Sequence, residues 1–213
     1  LIKFIGVNPE KITVTLESAD ELPKGNKPVD ELIGKKFIMY IGRPTPHKNL
    51  RRLIDAFALL RKKYPDLTLA LAGKKDSNYA RHETYVNEHG IKNVVFTGFI
   101  SDEQLRWMYE NTAVYCFPSL SEGFGLPGLE AMLHGAPVAS STATCLPETH
   151  GDAAHYFDPF SVEDIAKSID DILSNDKLRN ELVKKGKKHV KTFSWQRMAE
   201  QTLAVYERYG RKS

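Results

Sequence analysis

The sequence is short of the features that usually announce a chemistry. Its two cysteines, Cys116 in an apolar run and Cys145 in a loop, supply neither a disulfide framework nor a four-thiolate zinc site, and they favour a reducing compartment. No apolar run approaches the roughly 20 residues of a membrane-spanning helix, and no basic leader with an apolar stretch opens the sequence. The expected placement is therefore cytoplasmic, or at most peripheral on the inner face of the plasma membrane. Thirty Lys and Arg against 27 Asp and Glu leave a formal charge of +3 over 213 residues. That is too weak to argue for nucleic acid, although it suits an anionic ligand or a lipid surface. Seven histidines occur, but no pair has the helical spacing and neighbouring acid of a metal site, and Asp-x-Asp is absent, so no metal is expected. Internal repeats and low-complexity tracts are missing too.

What is present is an alternation. Apolar runs ("KFIMYIG", "LTLALAG", "NVVFTGF", "AVYCFPS", "APVASS", "AHYFDP") alternate with helical patterns from "NLRRLIDAFALLRKKY" to "GLEAMLHG". This predicts right-handed βαβ crossovers and a doubly wound parallel α/β sheet, Rossmann-like, with helices on both faces. Three further helical patterns after Asp158 predict a C-terminal helical cover. Asn49 reads as a helix cap and Ser101 with Gln104 as a capping box. Pro127 suits a first helical turn and Gly135 a helix stop. The first sixteen residues read as a helix tail, a stop at Gly6 and a strand from Ile12 to Leu16. Residues 1–29 are expected to be the end of a preceding domain and an interdomain hinge, and 30–213 the ligand-binding domain.

The segment "SLSEGFGLPGLE" (119–130) carries Gly123, Gly125 and Gly128 at G-x-G-x-x-G spacing, with Glu148 twenty residues later in what reads as a loop. A dinucleotide turn belongs after the first strand of its domain, whereas at least three βα units precede this one, and Pro127 occupies a free position of the fingerprint. What survives is a glycine loop that opens a helix, where backbone N–H groups can approach an anion. Glu122 and Glu130 bracket it, and carboxylates accept hydrogen bonds from vicinal hydroxyls. Arg43 and Lys48 lie in "GRPTPHKNL", another loop at the carboxyl end of a strand. Together the residues suit a phosphate and a polyol held side by side. The runs around Trp107, Tyr109 and Trp195 read as helix packing, His155 as strand packing, and Lys184 to Lys191 as a solvated face with a lesser claim to anionic lipid.

The string Glu122-Gly-Phe-Gly-Leu-Pro-Gly-Leu-Glu130 resembles the Glu-x7-Glu motif of retaining, nucleotide-sugar-dependent glycosyltransferases of the two-domain GT-B fold, often called glycosyltransferase group 1. "YIGRPTPHKNL", "LALAGKK", "VVFTGFISDEQL", "AMLHGAPVASS" and "LPETHGDAAHYFDP" resemble its donor-binding, C-terminal domain in the same order, from about Lys36 to Tyr209. The resemblance implies that Glu130 holds the ribose hydroxyls and that Glu122 contacts the transferred sugar. It implies that the amides of Phe124, Gly125 and Leu126 meet the sugar and distal phosphate, and that Arg43 and Lys48, beside Gly42, neutralise the leaving diphosphate without a metal. Lys74 and Phe99 would flank the base, and His47 is a lesser phosphate candidate. The implied partners are a nucleoside-diphosphate sugar (GDP-mannose as first guess), a glycan or lipid-linked acceptor of cell-surface polysaccharide biosynthesis, and the chain's own N-terminal domain. The donor is a substrate, so no cofactor is expected, and the chain alone should bind donor but transfer poorly. A non-catalytic nucleotide-sugar-binding module and an NAD-dependent oxidoreductase stand as alternatives. The sequence departs from the family at Gly128, where a bulkier apolar residue is common, at Lys75, and at "TLESAD", which lacks an Asn-Gly turn.

Overall fold

The computed structural model describes residues 2–25 and 27–210. Among them, six strands form one sheet in the order β3-β2-β1-β4-β5-β6: β1 (Phe37–Ile41), β2 (Thr68–Ala72), β3 (Val94–Gly98), β4 (Val114–Phe117), β5 (Val138–Ser141) and β6 (Ala154–Phe157). Every pairing is parallel. Parallel strands are covered on both faces, which is why β1, β2 and β4 read as unbroken apolar runs. The helices are α1 (Ile2–Ile5), α2 (Leu50–Leu60), α3 (Ser77–Glu88), α4 (Asp102–Asn111), α5 (Leu126–Leu133), α6 (Leu146–His150), α7 (Val162–Ser174), α8 (Asp176–His189) and α9 (Trp195–Gly210).

The sheet divides the core in two. On one face Ile38 and Tyr40 pack with Leu53, Ile54 and Phe57 of α2 and Ile165, Ile169 and Ile172 of α7. On the other, Phe37, Met39, Tyr115 and Phe117 pack with Met108 and Tyr109 of α4 and Leu129 and Met132 of α5. The apolar positions of α2 and α7 recur at three- and four-residue spacing, so each helix offers one stripe to the sheet. Local signals agree: Ser101 and Gln104 form a complete capping box, and Gly135 ends α5 at φ 83°. The strand order reverses between β1 and β4, and ligands of doubly wound sheets bind in the crevice beyond the carboxyl ends at such a point.

Three local expectations need correction. Residues 12–16 form no strand. Alternating Thr and Val give strand propensity, yet a strand also needs a neighbour; here Val14 and Leu16 line a cleft with Phe193. Glu148 lies in α6 rather than in a loop, and its side chain is exposed. Asn49 occupies the N-cap of α2 but makes no side-chain cap bond. It sits in the left-handed region at φ 59°, and its amide nitrogen instead donates to the carbonyls of Pro118 at 3.0 Å and Pro159 at 2.8 Å. Arg52 donates to its oxygen at 2.9 Å.

Asn49 thus ties together the loops that follow β1, β4 and β6. Asn49→Ala should destabilise the fold by about 2 kcal/mol, from two lost hydrogen bonds to buried carbonyls. Asn49→Gly loses the same bonds without the left-handed penalty and should cost about 1 kcal/mol less than the alanine. Urea unfolding of the three proteins measures both differences.

Candidate functional site

The β1 and β4 loops meet at the point where the strand order reverses. After β1, Gly42 turns at φ 148° with no room for a side chain, because a Cβ would lie 2.7 Å from the Tyr40 hydroxyl. The chain then forms a 3-10 turn over Pro46–Lys48. The amide of Leu120, in the β4 loop, donates to the His47 carbonyl at 2.7 Å. This brings Lys48 to Glu122, with Nζ donating to Oε1 at 2.6 Å. Their side chains are only 22% and 11% exposed, so the pair is shielded from much of the screening that weakens surface ion pairs.

Glu122 is held by its backbone as well. Its amide donates to Thr144 Oγ1 at 3.1 Å, and its carbonyl lies 3.3 Å from both Thr144 Oγ1 and Cys145 Sγ. Thr144 takes φ 52° to do this, an unusual conformation for a β-branched residue. Gly125 follows as the N-cap of α5 at φ 100°. Beneath it lies His150, wholly buried, with Nε2 3.2 Å from the Gly125 carbonyl and Nδ1 3.2 Å from Ser140 Oγ. One turn into α5, Glu130 accepts a hydrogen bond from the Tyr109 hydroxyl at 3.2 Å.

The remaining expected residues are more dispersed. Arg43 is 77% exposed and points to Asp76, with Nε 3.4 Å from Oδ2. It does not share the Lys48–Glu122 contact. Lys74 and Phe99, in the loops after β2 and β3, are both exposed, Phe99 at 85%. Lys75 pairs with Glu83 at 3.5 Å. Phe124 packs edge-on against Phe193, and Leu126 opens α5. The glycines follow β4 rather than β1, and Glu148, on α6 rather than at a strand end, lines a cleft of about 530 Å³ with Gly123 and Phe124 of the glycine loop and with Val14, Leu16 and Phe193. Neither placement is that of a dinucleotide turn with its ribose acid.

Burial and charge set the titration of the site. Burial pushes the Glu130 carboxyl up, with the charges of Asp20 and Asp102 adding to the rise and the Tyr109 hydroxyl opposing it. Burial pushes Tyr109 well up, so it remains a donor at neutral pH. His150 is pushed down to about 4, first by burial and then by His189, against upward pulls from the Gly125 carbonyl and Glu122.

The family described as "Glycosyl transferases group 1" matches residues 24–189. This chain belongs to that family. It is 35% identical over 83% of its length to O-antigen chain mannosyltransferase B of Escherichia coli, covering 47% of that protein. It is 33% identical over 98% of its length to the MMP alpha-(1->4)-mannosyltransferase of Mycolicibacterium hassiacum, covering 51%. The chain therefore spans about half the length of these relatives. Among solved structures, the sucrose-phosphate synthase of Thermosynechococcus elongatus superposes with a TM-score of 0.76 at 28% identity, over 84% of this chain and 47% of that one. The C-terminal domain of a group 1 family glycosyl transferase from Francisella tularensis gives 0.67 at 30% identity, over 76% and 88%.

The structure of this group 1 chain also shows side chains to which sequence reasoning assigned no place in the site. Thr144 and Cys145 anchor Glu122, His150 supports Gly125, and Tyr109 reaches Glu130 rather than only filling the core. Only His150 had a signal in the sequence, the glycine at 128. A Cβ there would overlap the imidazole.

The His150 environment predicts a pH effect. Its folded pKa lies below the ordinary 6.5, so between those values the unfolded chain binds the extra proton. Stability from this group is complete above about pH 6.5 and is lost as pH falls to about 4, by roughly 3 kcal/mol. His150→Leu should flatten the wild-type stability curve by that amount across this window and leave it parallel above pH 7, as read by urea unfolding at stepped pH.

Proposed function

We propose that the chain is the donor-binding part of a retaining hexosyltransferase that uses a nucleoside-diphosphate sugar, GDP-mannose first, to extend a glycan or lipid-linked acceptor in cell-surface polysaccharide biosynthesis. The observation that carries this reading is the Lys48–Glu122 contact, which joins a cation and an acid from two loops at the reversal of the sheet. The mannosyltransferases among its relatives favour mannose.

In this reading Lys48 exchanges its carboxylate partner for the donor's diphosphate, and Arg43 swings from Asp76 to join it. Two cations then stabilise the charge that builds on the leaving group, so no metal is required for that task. The amides of Phe124, Gly125 and Leu126, at the start of α5, add donors toward the phosphate and sugar. Glu130 receives the ribose hydroxyls and Glu122 faces the sugar, while Lys74 and Phe99 border the base. The acceptor hydroxyl bonds to the anomeric carbon from the face the diphosphate leaves, and retention follows.

The proton acceptor, and most contacts to the sugar acceptor, belong to a preceding domain in this reading. Two observations support such a partner. The chain spans about half of its relatives, and apolar side chains crowd its ends: Phe4, Ile5 and Val14 are exposed, as are Leu203, Tyr206 and Tyr209 of α9, a helix in which no described residue is buried. Exposed apolar side chains of this size suit burial against another domain. The boundary is placed near residue 30, with cytoplasmic localisation, and the chain alone transfers poorly because closure of both domains completes the site.

Thermal unfolding against GDP, UDP, ADP and NAD, with chelator present, tests the reading. A nucleoside diphosphate at about one hundred times its dissociation constant should add roughly 2.7 kcal/mol. A response to NAD alone would sink the proposal. Lys48→Ala should weaken nucleoside diphosphate binding by about tenfold or more. In the full-length protein, Glu122→Ala should abolish most turnover; wild-type protein that binds donor without turnover would identify a binding module instead.

A further inference from the structure

The glycine loop raises a problem of backbone orientation. Gly125 sits at φ 100°, where only glycine is at ease, and glycine's freedom lets neighbouring peptide planes rotate at little cost. Across a trans peptide the C=O and the following N–H point in opposite directions. The Gly125–Leu126 plane can therefore offer an anion either the Leu126 N–H or the Gly125 carbonyl, and only the first attracts it.

His150 decides between them. A carbonyl only accepts, so the 3.2 Å contact between Nε2 and the Gly125 oxygen requires the proton on Nε2. Nδ1 of the neutral ring then accepts from the Ser140 hydroxyl, 3.2 Å away. The ring is fixed at both nitrogens and wholly buried, and the Gly128 amide shares the same carbonyl at 3.0 Å. With the carbonyl held on the inner side, the Leu126 N–H faces away from the ring, out of the helix start.

A second observation comes from α5 itself. Gly128 lies inside the helix, where glycine costs about 1 kcal/mol relative to alanine. A Cβ at 128 would run into Nε2, Cε1 and Cδ2 of His150. The helix thus carries an unfavourable residue at the position that admits the ring.

We propose that His150 is a positioning residue of the anion site, holding the Gly125–Leu126 peptide so that the Leu126 N–H is presented to the donor's phosphate. The proposal rests on the donor-site reading above. His150→Leu removes the donor to Gly125 in an apolar side chain of comparable size, whereas the Nε2 of His150→Gln can replace the lost ring donor.

The test is calorimetric titration of GDP and UDP into the chain at pH 7.5, with melting temperatures recorded in parallel. His150→Leu should weaken binding of whichever diphosphate the wild type prefers by about tenfold while staying folded at the titration temperature, with a melting temperature lowered by the two lost hydrogen bonds, and His150→Gln should stay within about threefold of wild type in affinity. Equal affinity of wild type and His150→Leu would overturn the positioning role alone. So would a glutamine variant as weak as the leucine variant, which would reduce the ring to a space filler. Long-range 1H–15N spectra supply a readout independent of variant folding: the proton should be on Nε2, and a ring protonated at Nδ1 would overturn the proposal. A wild type that binds neither diphosphate would overturn the donor-site reading and this inference with it.

Discussion

The site depends on one buried amide. Asn49 lies in the loop after β1, and its two donated hydrogen bonds end on carbonyls of the loops after β4 and β6, at Pro118 and Pro159, the first of them just before the glycine loop. Without them, the turn carrying Lys48 and the loop carrying Glu122 would be joined on the backbone mainly through the bond from Leu120 to His47. A 2.6 Å ion pair between long side chains is entropically costly unless both backbones are already placed. The Asn49 clamp on one side and Thr144 on the other do that placing. The αL geometry of both residues is the backbone counterpart of this arrangement, since strained conformations persist where the surroundings over-determine them.

The fold was legible because its signals were redundant. Each parallel strand is a short apolar run, each covering helix carries a stripe, and several boundaries have their own cap or stop, as at Ser101 and Gly135. Independent local rules agreed on one architecture. The misreadings fell where a local rule met a tertiary demand. Residues 12–16 have strand propensity but no partner. Asn49 has the residue type of a cap, yet a buried amide with two carbonyls in reach satisfies those first.

The candidate site was legible only in part, for a reason of scale. Motifs report side chains that would face a ligand, so Lys48, Glu122 and Glu130 stood out. They do not report the residues that hold those side chains, because such contacts cross long sequence separations: 22 residues from Thr144 to Glu122, and 25 from His150 to Gly125. A threonine in the left-handed region has no sequence signature. The glycine at 128 was an exception: it broke the helix rule, and a Cβ there would meet a histidine 22 positions away.

The charges of the site set the terms on which a polyol and a phosphate would share it in the proposed reading. Lys48 and Glu122 compensate each other, and His150 is neutral, so the floor of the glycine loop offers little uncompensated positive charge. In the proposed reading an anion there relies on oriented amides and on cations that change partners. Glu130 is placed in the opposite way. It is partly buried and lies near Asp20 and Asp102, which raises the cost of its charged form. A carboxylate in that position is stabilised by hydrogen-bond donors rather than by another ion. Tyr109 supplies one, and its own raised pKa keeps it a donor. In the proposed reading a vicinal diol supplies two more without adding charge. The two acids that bracket the loop therefore differ in their partners: Glu122 has a cation, whereas Glu130 has a neutral hydroxyl donor.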